Sequence, residues 1–306
     1  AIGDAIPDDV ESLFTGIIGE GVATTNLGDG NWVGSLSNIS ADDGYWLKVH
    51  NDADLEVQGL PSGSIDYSLN GGNNLISYPF AINQSIGDAI SNGDGIYGIA
   101  GAGIAAINMG DSWAGSLDAF EGGRGYWMVT DQALDFAYNT PTRDPLARAV
   151  AQQKLPEVPV AYKYVQSQNQ AFYFISDASI NGKALESGDW IVSYNGDVVV
   201  GARMWNGEYT DVPAMGYTAD DTNTAGYAEE GNQITFKVYD ASEGSMTEMV
   251  IDEGENVWSN NLLTVISMSD KILPTEVSLS NAYPNPFNPS TSISYDVPSD
   301  MHVSLM

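Results

Sequence analysis

Cysteine is absent from all 306 residues, and histidine occurs only twice, at His50 and His302. The first absence excludes disulfide frameworks, thiolate zinc sites, iron–sulfur clusters and cysteine nucleophiles together. The second argues against a serine–histidine triad, because neither histidine stands beside a nucleophile motif. Positive charge is the next scarcity. Ten Lys and Arg stand against 41 Asp and Glu, a formal net charge of −31. A field of that sign repels polyanions, which excludes nucleic acid and anionic membrane surfaces as partners. No apolar run approaches the roughly 20 residues that a membrane-spanning helix needs, and Ala1-Ile-Gly-Asp4 has neither the basic nor the apolar part of a signal peptide. The expectation is a chain without membrane insertion, from which any signal peptide has already been removed.

What is present points to β structure. Charged residues reach only 17% while aromatics reach 10% with 33 Gly, so the acidity decorates a folded, turn-rich chain rather than a disordered tail. Such a surface suits a salty exterior medium or one rich in divalent cations.

The first half is an internal repeat. Residues 31–49 match residues 112–130: Trp32-Val-Gly-Ser-Leu36 aligns with Trp113-Ala-Gly-Ser-Leu117, and Gly44-Tyr45-Trp46 with Gly125-Tyr126-Trp127. Upstream, Gly19-x-Gly21, Asn26-Leu-Gly-Asp29 and Ile2-Gly-Asp-Ala-Ile6 correspond to Gly101-x-Gly103, Asn108-Met-Gly-Asp111 and Ile86-Gly-Asp-Ala-Ile90. Two copies of one module are expected, over residues 1–60 and 61–140. The second copy also carries Asn74–Phe80, a strand ending near Pro79 and leading into a helical turn at Ile86–Ile90. The first copy has no counterpart of that strand, which predicts an unpaired sheet edge beside an apolar groove. Within the first copy, Tyr45, Leu47 and Val49 alternate with Trp46, Lys48 and His50, the period of a half-buried strand, and in the second Tyr126 and Met128 repeat the inward set with Trp127 on the other face. Trp46 and Trp127 are then either sugar-stacking platforms or structural residues, each packed on the other tryptophan of its module, Trp32 or Trp113. Aromatic burial in a small β module favours the packed pair.

Residues 141–161 are rich in proline and in the rare basic residues, with a helix-compatible patch at Leu146–Gln153, and read as a linker. Residues 162–270 alternate short apolar runs with turn signals: Ala171–Ile175, Asp189–Tyr194, Val198–Trp205 after Asn195-Gly196, Asn232–Tyr239 and Leu262–Met268. That spacing predicts an antiparallel β-sandwich. The expected class is mainly β throughout.

Two resemblances follow. Ile180-Asn-Gly-Lys-Ala-Leu185, Glu186-Ser-Gly-Asp-Trp-Ile-Val192, Val200-Gly201 and Glu230–Tyr239 resemble a β-sandwich module of large secreted proteins of the Bacteroidetes and related phyla. Beyond it, Leu273-Pro274, Leu279 and Tyr283-Pro284-Asn285-Pro286-Phe287-Asn288-Pro289-Ser-Thr291, then Ile293-x-Tyr295 and Val297-Pro298, closely resemble the start of the C-terminal sorting domain of type IX secretion substrates. The Gly-Tyr-Trp modules are similar to repeats found in such chains. The resemblance implies a partial Ig-like segment over 271–306, the secretion machinery as partner, and an extracellular or cell-surface location.

Reactive chemistry finds little support. Gly101-x-Gly103-x-x-Ala106 fits a dinucleotide fingerprint formally but lies in a repeat without a βαβ context, so turn glycines explain it. Paired-carboxylate hydrolysis needs a deep cleft that small modules rarely provide. No cofactor is expected except calcium, for which Asp220, Asp221, Glu229 and Glu230 around the Thr222–Tyr227 loop are the candidates, solvated acidic loops being the plainer alternative. The reading is a non-enzymatic extracellular structural or surface protein that self-associates into filaments, with Ser290–Val297 or Met301–Met306 donated as a strand to the open edge of a neighbour's first module. The alternative is a carbohydrate-binding or adhesive region of a larger secreted hydrolase, with a polysaccharide as partner.

Overall fold

A computed structural model describes residues 1–7, 10–51, 55, 63–90, 93–142, 150–270, 277–286, 289–297 and 303–304. The chain is mainly β, with two four-residue helical turns among the described residues, α1 (Ile2–Ala5) and α2 (Ile86–Ala89).

The first repeat is a four-stranded antiparallel sheet of β1 (Phe14–Gly19), β2 (Val22–Asn26), β3 (Trp32–Gly34) and β4 (Trp46–Val49), in the order β3-β2-β1-β4. The next strands are β5 (Tyr67–Leu69), β6 (Gly72–Ser77), β7 (Gln84–Ser85), β8 (Ile96–Ala100), β9 (Ala105–Asn108) and β10 (Trp113–Gly115). With β11 (Ala119–Phe120), β12 (Gly125–Thr130) and β13 (Leu134–Phe136) they build the second repeat, whose main sheet has the order β10-β9-β8-β12-β6.

The two copies agree bond by bond. Ile17 faces Thr24 and Leu47, as Ile99 faces Ala106 and Met128. The register of β1 on β4 slips between Phe14 and Gly16, and that of β8 on β12 slips at the equivalent place. Asn26 Nδ2 donates to the carbonyls of Glu11 and Phe14 while its Oδ1 accepts from Gly28 N. Asn108 does the same with Gly93, Ile96 and Gly110. The Gly19-x-Gly21 and Gly101-x-Gly103 signatures are hairpin turns, Gly21 and Gly103 taking φ of 68° and 71°.

Burial separates the copies. The second repeat has a closed aromatic core in which Phe120 stacks on Tyr78 and meets Tyr126 and Tyr138 edge-on, at centroid distances of 5.4, 4.9 and 5.0 Å. Each such side chain contributes about 1.5–3 kcal/mol when fully buried. The first repeat closes around a smaller set, chiefly Ile2, Ile6, Phe14, Ile17 and Leu36.

Residues 162–270 form one sheet rather than two facing antiparallel ones. Its strands are β14 (Gln170–Ile180), β15 (Lys183–Ala184), β16 (Trp190–Asn195) and β17 (Val198–Met204), followed by β18 (Thr210–Met215), β19 (Ile234–Asp240), β20 (Ser245–Glu253) and β21 (Leu263–Asp270). The order is β15-β14-β21-β20-β19-β16-β17, with β18 also on β14. The sheet curls into a half-barrel around Tyr173, Ile191, Phe236 and Ile266. One pairing, β14 with β21, is parallel. The chain's long return to β14's second edge brings β21 in along it rather than against it, and spacing along the sequence carries no sign of that direction. The Asn195-Gly196 hairpin forms as expected. Of the linker helix patch, 146–149 lie outside the described residues, and 150–153 have no helical structure.

Within the C-terminal segment β22 (Ser278–Leu279) lies antiparallel to β23 (Tyr295–Asp296), and Tyr283 bridges Ser292. Phe287, Asn288, His302 and most of Met301–Met306 lie outside the described residues.

Candidate binding cleft between the repeats

The Gly-Tyr-Trp motif has three different jobs, one per residue. Gly44 and Gly125 lie where the two modules meet at Ile76: a Cβ on Gly44 would stand 2.9 Å from Ile76 O, and one on Gly125 would stand 3.0 Å from Gly44 Cα. Glycine is needed because backbones on both sides cannot give way. β6 is thereby shared. One edge carries β12, and the other meets Asp42–Gly44 of the first repeat through Gly44 N donating to Leu75 O and Ser77 N donating to Asp42 O, at 3.0 and 3.1 Å. Glu20 Oε2 adds a bond from Leu75 N at 2.9 Å.

Tyrosine turns into its own module. The Tyr45 and Tyr126 hydroxyls accept from Ser40 N and Glu121 N, each at 2.9 Å. Burial pushes the Tyr126 phenol up to about 12.

Tryptophan turns the other way. The expected Trp–Trp pair within each module is not formed, because β3 and β4, like β10 and β12, are separated by two strands, roughly 14 Å. Trp32 packs in the first core, its Nε1 donating to Glu11 Oε1 at 2.6 Å. Trp113 packs on the second core. Trp127 lies on the opposite sheet face, against a layer that joins the second repeat to the curled sheet through Ala100, Ile107, Phe172, Phe174 and Leu263. Its Nε1 is buried without a partner. These three pack against buried clusters, none of them as the expected pair. Trp46 joins none of the buried clusters among the described residues.

Where the modules splay apart beyond Gly44, a cleft of about 410 Å³ opens. Trp46 and Leu47 wall one side, Trp127, Ile104 and Leu75 the other, and Glu121 and Arg124 also line it. Equivalent positions of two repeats thus face one space, a juxtaposition invisible to either copy alone. The cleft can offer an indole face, aliphatic walls and one cation; it holds no histidine.

The calcium candidates do not converge. Asp220 pairs with Lys48 Nζ at 2.6 Å, which holds its carboxyl below the usual range. Asp221 Oδ1 accepts from Asn223 N, and Glu230 Oε1 from Asn260 N. Glu229 is engaged through its backbone, Glu229 N donating to Asn232 Oδ1. Among the described residues no three His, Asp or Glu side chains gather around a common point.

A polar cluster missed by sequence reasoning ties the halves together. Arg203 Nη2 reaches Asp211 Oδ2 at 3.2 Å and Gly103 O at 2.7 Å, and Ser116 Oγ donates to the same carboxylate oxygen at 2.6 Å. Gln170 adds bonds to Gly101 O and from Gly103 N. Nothing at Arg203 or Asp211 in the sequence marks them as partners of the repeat 100 residues earlier. No family model matches the chain, and neither a curated relative nor a solved structure does.

Proposed function

We propose that this chain is a non-enzymatic extracellular surface protein, exported by the type IX route, whose repeats serve as structural modules for self-association. The observation that carries this reading is the C-terminal hairpin. It encloses the Tyr283–Thr291 motif, has a two-stranded sheet of its own, and leaves Tyr283 82% exposed. A segment presented in this way is open to recognition by export machinery. Deleting Leu273–Met306 in a host with a working type IX route is expected to retain the protein inside the cell envelope. Surface display of the deleted chain overturns the reading. Assays of ester, peptide and glycoside hydrolysis are expected to return background rates, and turnover abolished by a single Asp or Glu substitution refutes the non-enzymatic part.

The cleft favours a second reading, a carbohydrate-binding or adhesive surface, because Trp46 offers its indole to a space of about 410 Å³. Affinity electrophoresis against neutral polysaccharides tests it. Retardation lost in Trp46→Ala with an unchanged melting temperature supports it, and equal migration of both chains on every polysaccharide removes it.

A further inference from the structure

A smaller cleft, of about 190 Å³, lies where the second repeat meets the curled sheet, between the end of β10, the linker at 153–156 and the connection from β17 to β18. Its linker wall is fastened down. Gln152 Oε1 accepts from Asp118 N and Ala119 N at 3.0 and 3.2 Å, Gln152 Nε2 donates to Ser116 O at 2.6 Å, and Gln153 N donates to Asp118 Oδ1 at 3.2 Å. The wall from the curled sheet is held by Tyr209, whose backbone takes a left-handed φ of 62° while its N donates to Ile175 O at 2.7 Å. A bulky residue keeps that conformation only where its surroundings over-determine it. The cleft is therefore built into the junction, and junctions between domains are where preformed sites for small ligands occur.

The repeat shows how its floor arises. In the first copy Ser35 closes on its own module, Oγ accepting from Ala23 N and donating to Ala23 O. Its equivalent, Ser116, donates instead to Asp211, and Ala105 N, the equivalent of Ala23 N, donates to the same carboxylate. With Arg203 Nη2 as a further donor, the Asp211 carboxylate is occupied and buried, so it has nothing to offer a ligand. Arg203 does. Its Nε donates to Asp211 O and its Nη2 to Asp211 Oδ2 and Gly103 O, while Nη1 has no partner among the described residues. Nη1 is not one of the buried atoms left without a partner, so it opens on the cleft that Arg203 lines. Lys154 lines the same cleft and has no ion pair among the described residues. Two of the chain's ten basic residues thus meet at one small space, beside the apolar side chains of Leu155, Pro156 and Met204.

We propose that this cleft binds a small organic acid, its carboxylate on Arg203 Nη1 and Lys154 Nζ and a short apolar body against Leu155, Pro156 and Met204. Charge-assisted hydrogen bonds from a guanidinium are among the stronger ones available to a carboxylate. Two features limit the ligand to a single charge. Glu208, exposed, also lines the cleft, and the net charge of −31 repels polyanions. Exposed charges beyond about 8 Å are largely screened at physiological salt, so one buried carboxylate answers mainly to its neighbours. The site stands apart from the cleft at Trp46 and does not depend on self-association.

The test is calorimetric titration of 3-phenylpropionate, and separately of its neutral amide, into the full chain. Saturable binding is expected for the acid and none for the amide. Lys154→Glu is expected to weaken the acid by about tenfold or more, and Glu208→Gln to tighten it. Both altered side chains are exposed, and an unchanged melting temperature verifies the fold. Arg203→Met combined with Asp211→Leu, which removes the floor donor and keeps the packing, is expected to abolish binding. No saturable binding of the acid, equal binding of the amide, or an affinity that moves in neither Lys154→Glu nor Glu208→Gln overturns the proposal.

Discussion

The two repeats share a backbone and differ in what surrounds it. Each has the Gly-Tyr-Trp motif, the same bulge and the same asparagine clamp, yet the second is walled in by β6, by the β5–β13 pair and by the curled sheet, while in the first β4 pairs with β1 alone among the strands of the described residues. At Ile107 and Val129 the second repeat presents apolar side chains to that sheet. The first has Thr25 and Lys48 there, Thr25 exposed and Lys48 reaching Asp220. The difference teaches that hairpin geometry is set within a module, whereas burial is conferred by neighbours and the side chains have adapted to it.

The largest effect is expected where the second repeat is fastened. The Arg203 and Asp211 side chains are 8% and 2% exposed. Asp211→Ala leaves the guanidinium buried and unpaired, which costs about 3–5 kcal/mol, measurable by urea unfolding. Arg203→Met combined with Asp211→Leu is expected to recover most of that loss. Burial raises the Asp211 carboxyl above its ordinary range against the pull of Arg203 and Ser116. A raised folded value favours the folded state most below the unfolded carboxylate pKa, and that contribution is lost as pH rises through the folded value. The Asp211→Leu pair variant removes this component from the pH–stability curve.

Matched core truncations sharpen the contrast. Met128→Ala is expected to destabilise by about 2–5 kcal/mol. Leu47→Ala, at the same register position but 42% exposed, is expected to cost less than about 1 kcal/mol. Equal costs would mean that the β4 edge is covered in solution. The asparagines test the shared part: Asn26→Ala and Asn108→Ala each lose bonds to two carbonyls and are expected to cost about 1–3 kcal/mol, alike in both copies.

The smallest effect belongs to Lys48. Its pair with Asp220 is exposed on the acidic side, so Lys48→Met is expected to change stability by about 0–1 kcal/mol. Titration of Asp220 followed by nuclear magnetic resonance reports it more sharply. The lysine's hydrogen bond lowers that carboxyl, giving a contribution present above the unfolded pKa and lost as pH falls through the folded value. In the variant the carboxyl returns toward the ordinary range.

Much of the fold was legible because it is local. Period-two alternation marked β12, Asn195-Gly196 marked the β16–β17 turn, and the gapless match of Trp32–Leu36 to Trp113–Leu117 marked the repeat. Strand β18 was not legible, because Asp211 and Pro213 interrupt its apolar pattern. They are tolerated there since Arg203 and Ser116 satisfy the carboxylate, and Pro213 O accepts from Ser193 Oγ. The tryptophans' neighbours were not legible, because each meets residues far from it in the chain rather than the other tryptophan of its module.

By itself the sequence determined the class, the repeat and its turns, since strand period, glycine conformation and cap chemistry act over a few residues. It also determined the acidic surface, which is a sum over residues and needs no coordinates. Only the tertiary structure decided that β6 is shared by two modules, that Trp46 and Trp127 face one cleft, and that Arg203 meets Asp211 beneath Gly103. Those are contacts between segments far apart in the chain, and their geometry depends on how sheets twist and stack, which no local pattern records.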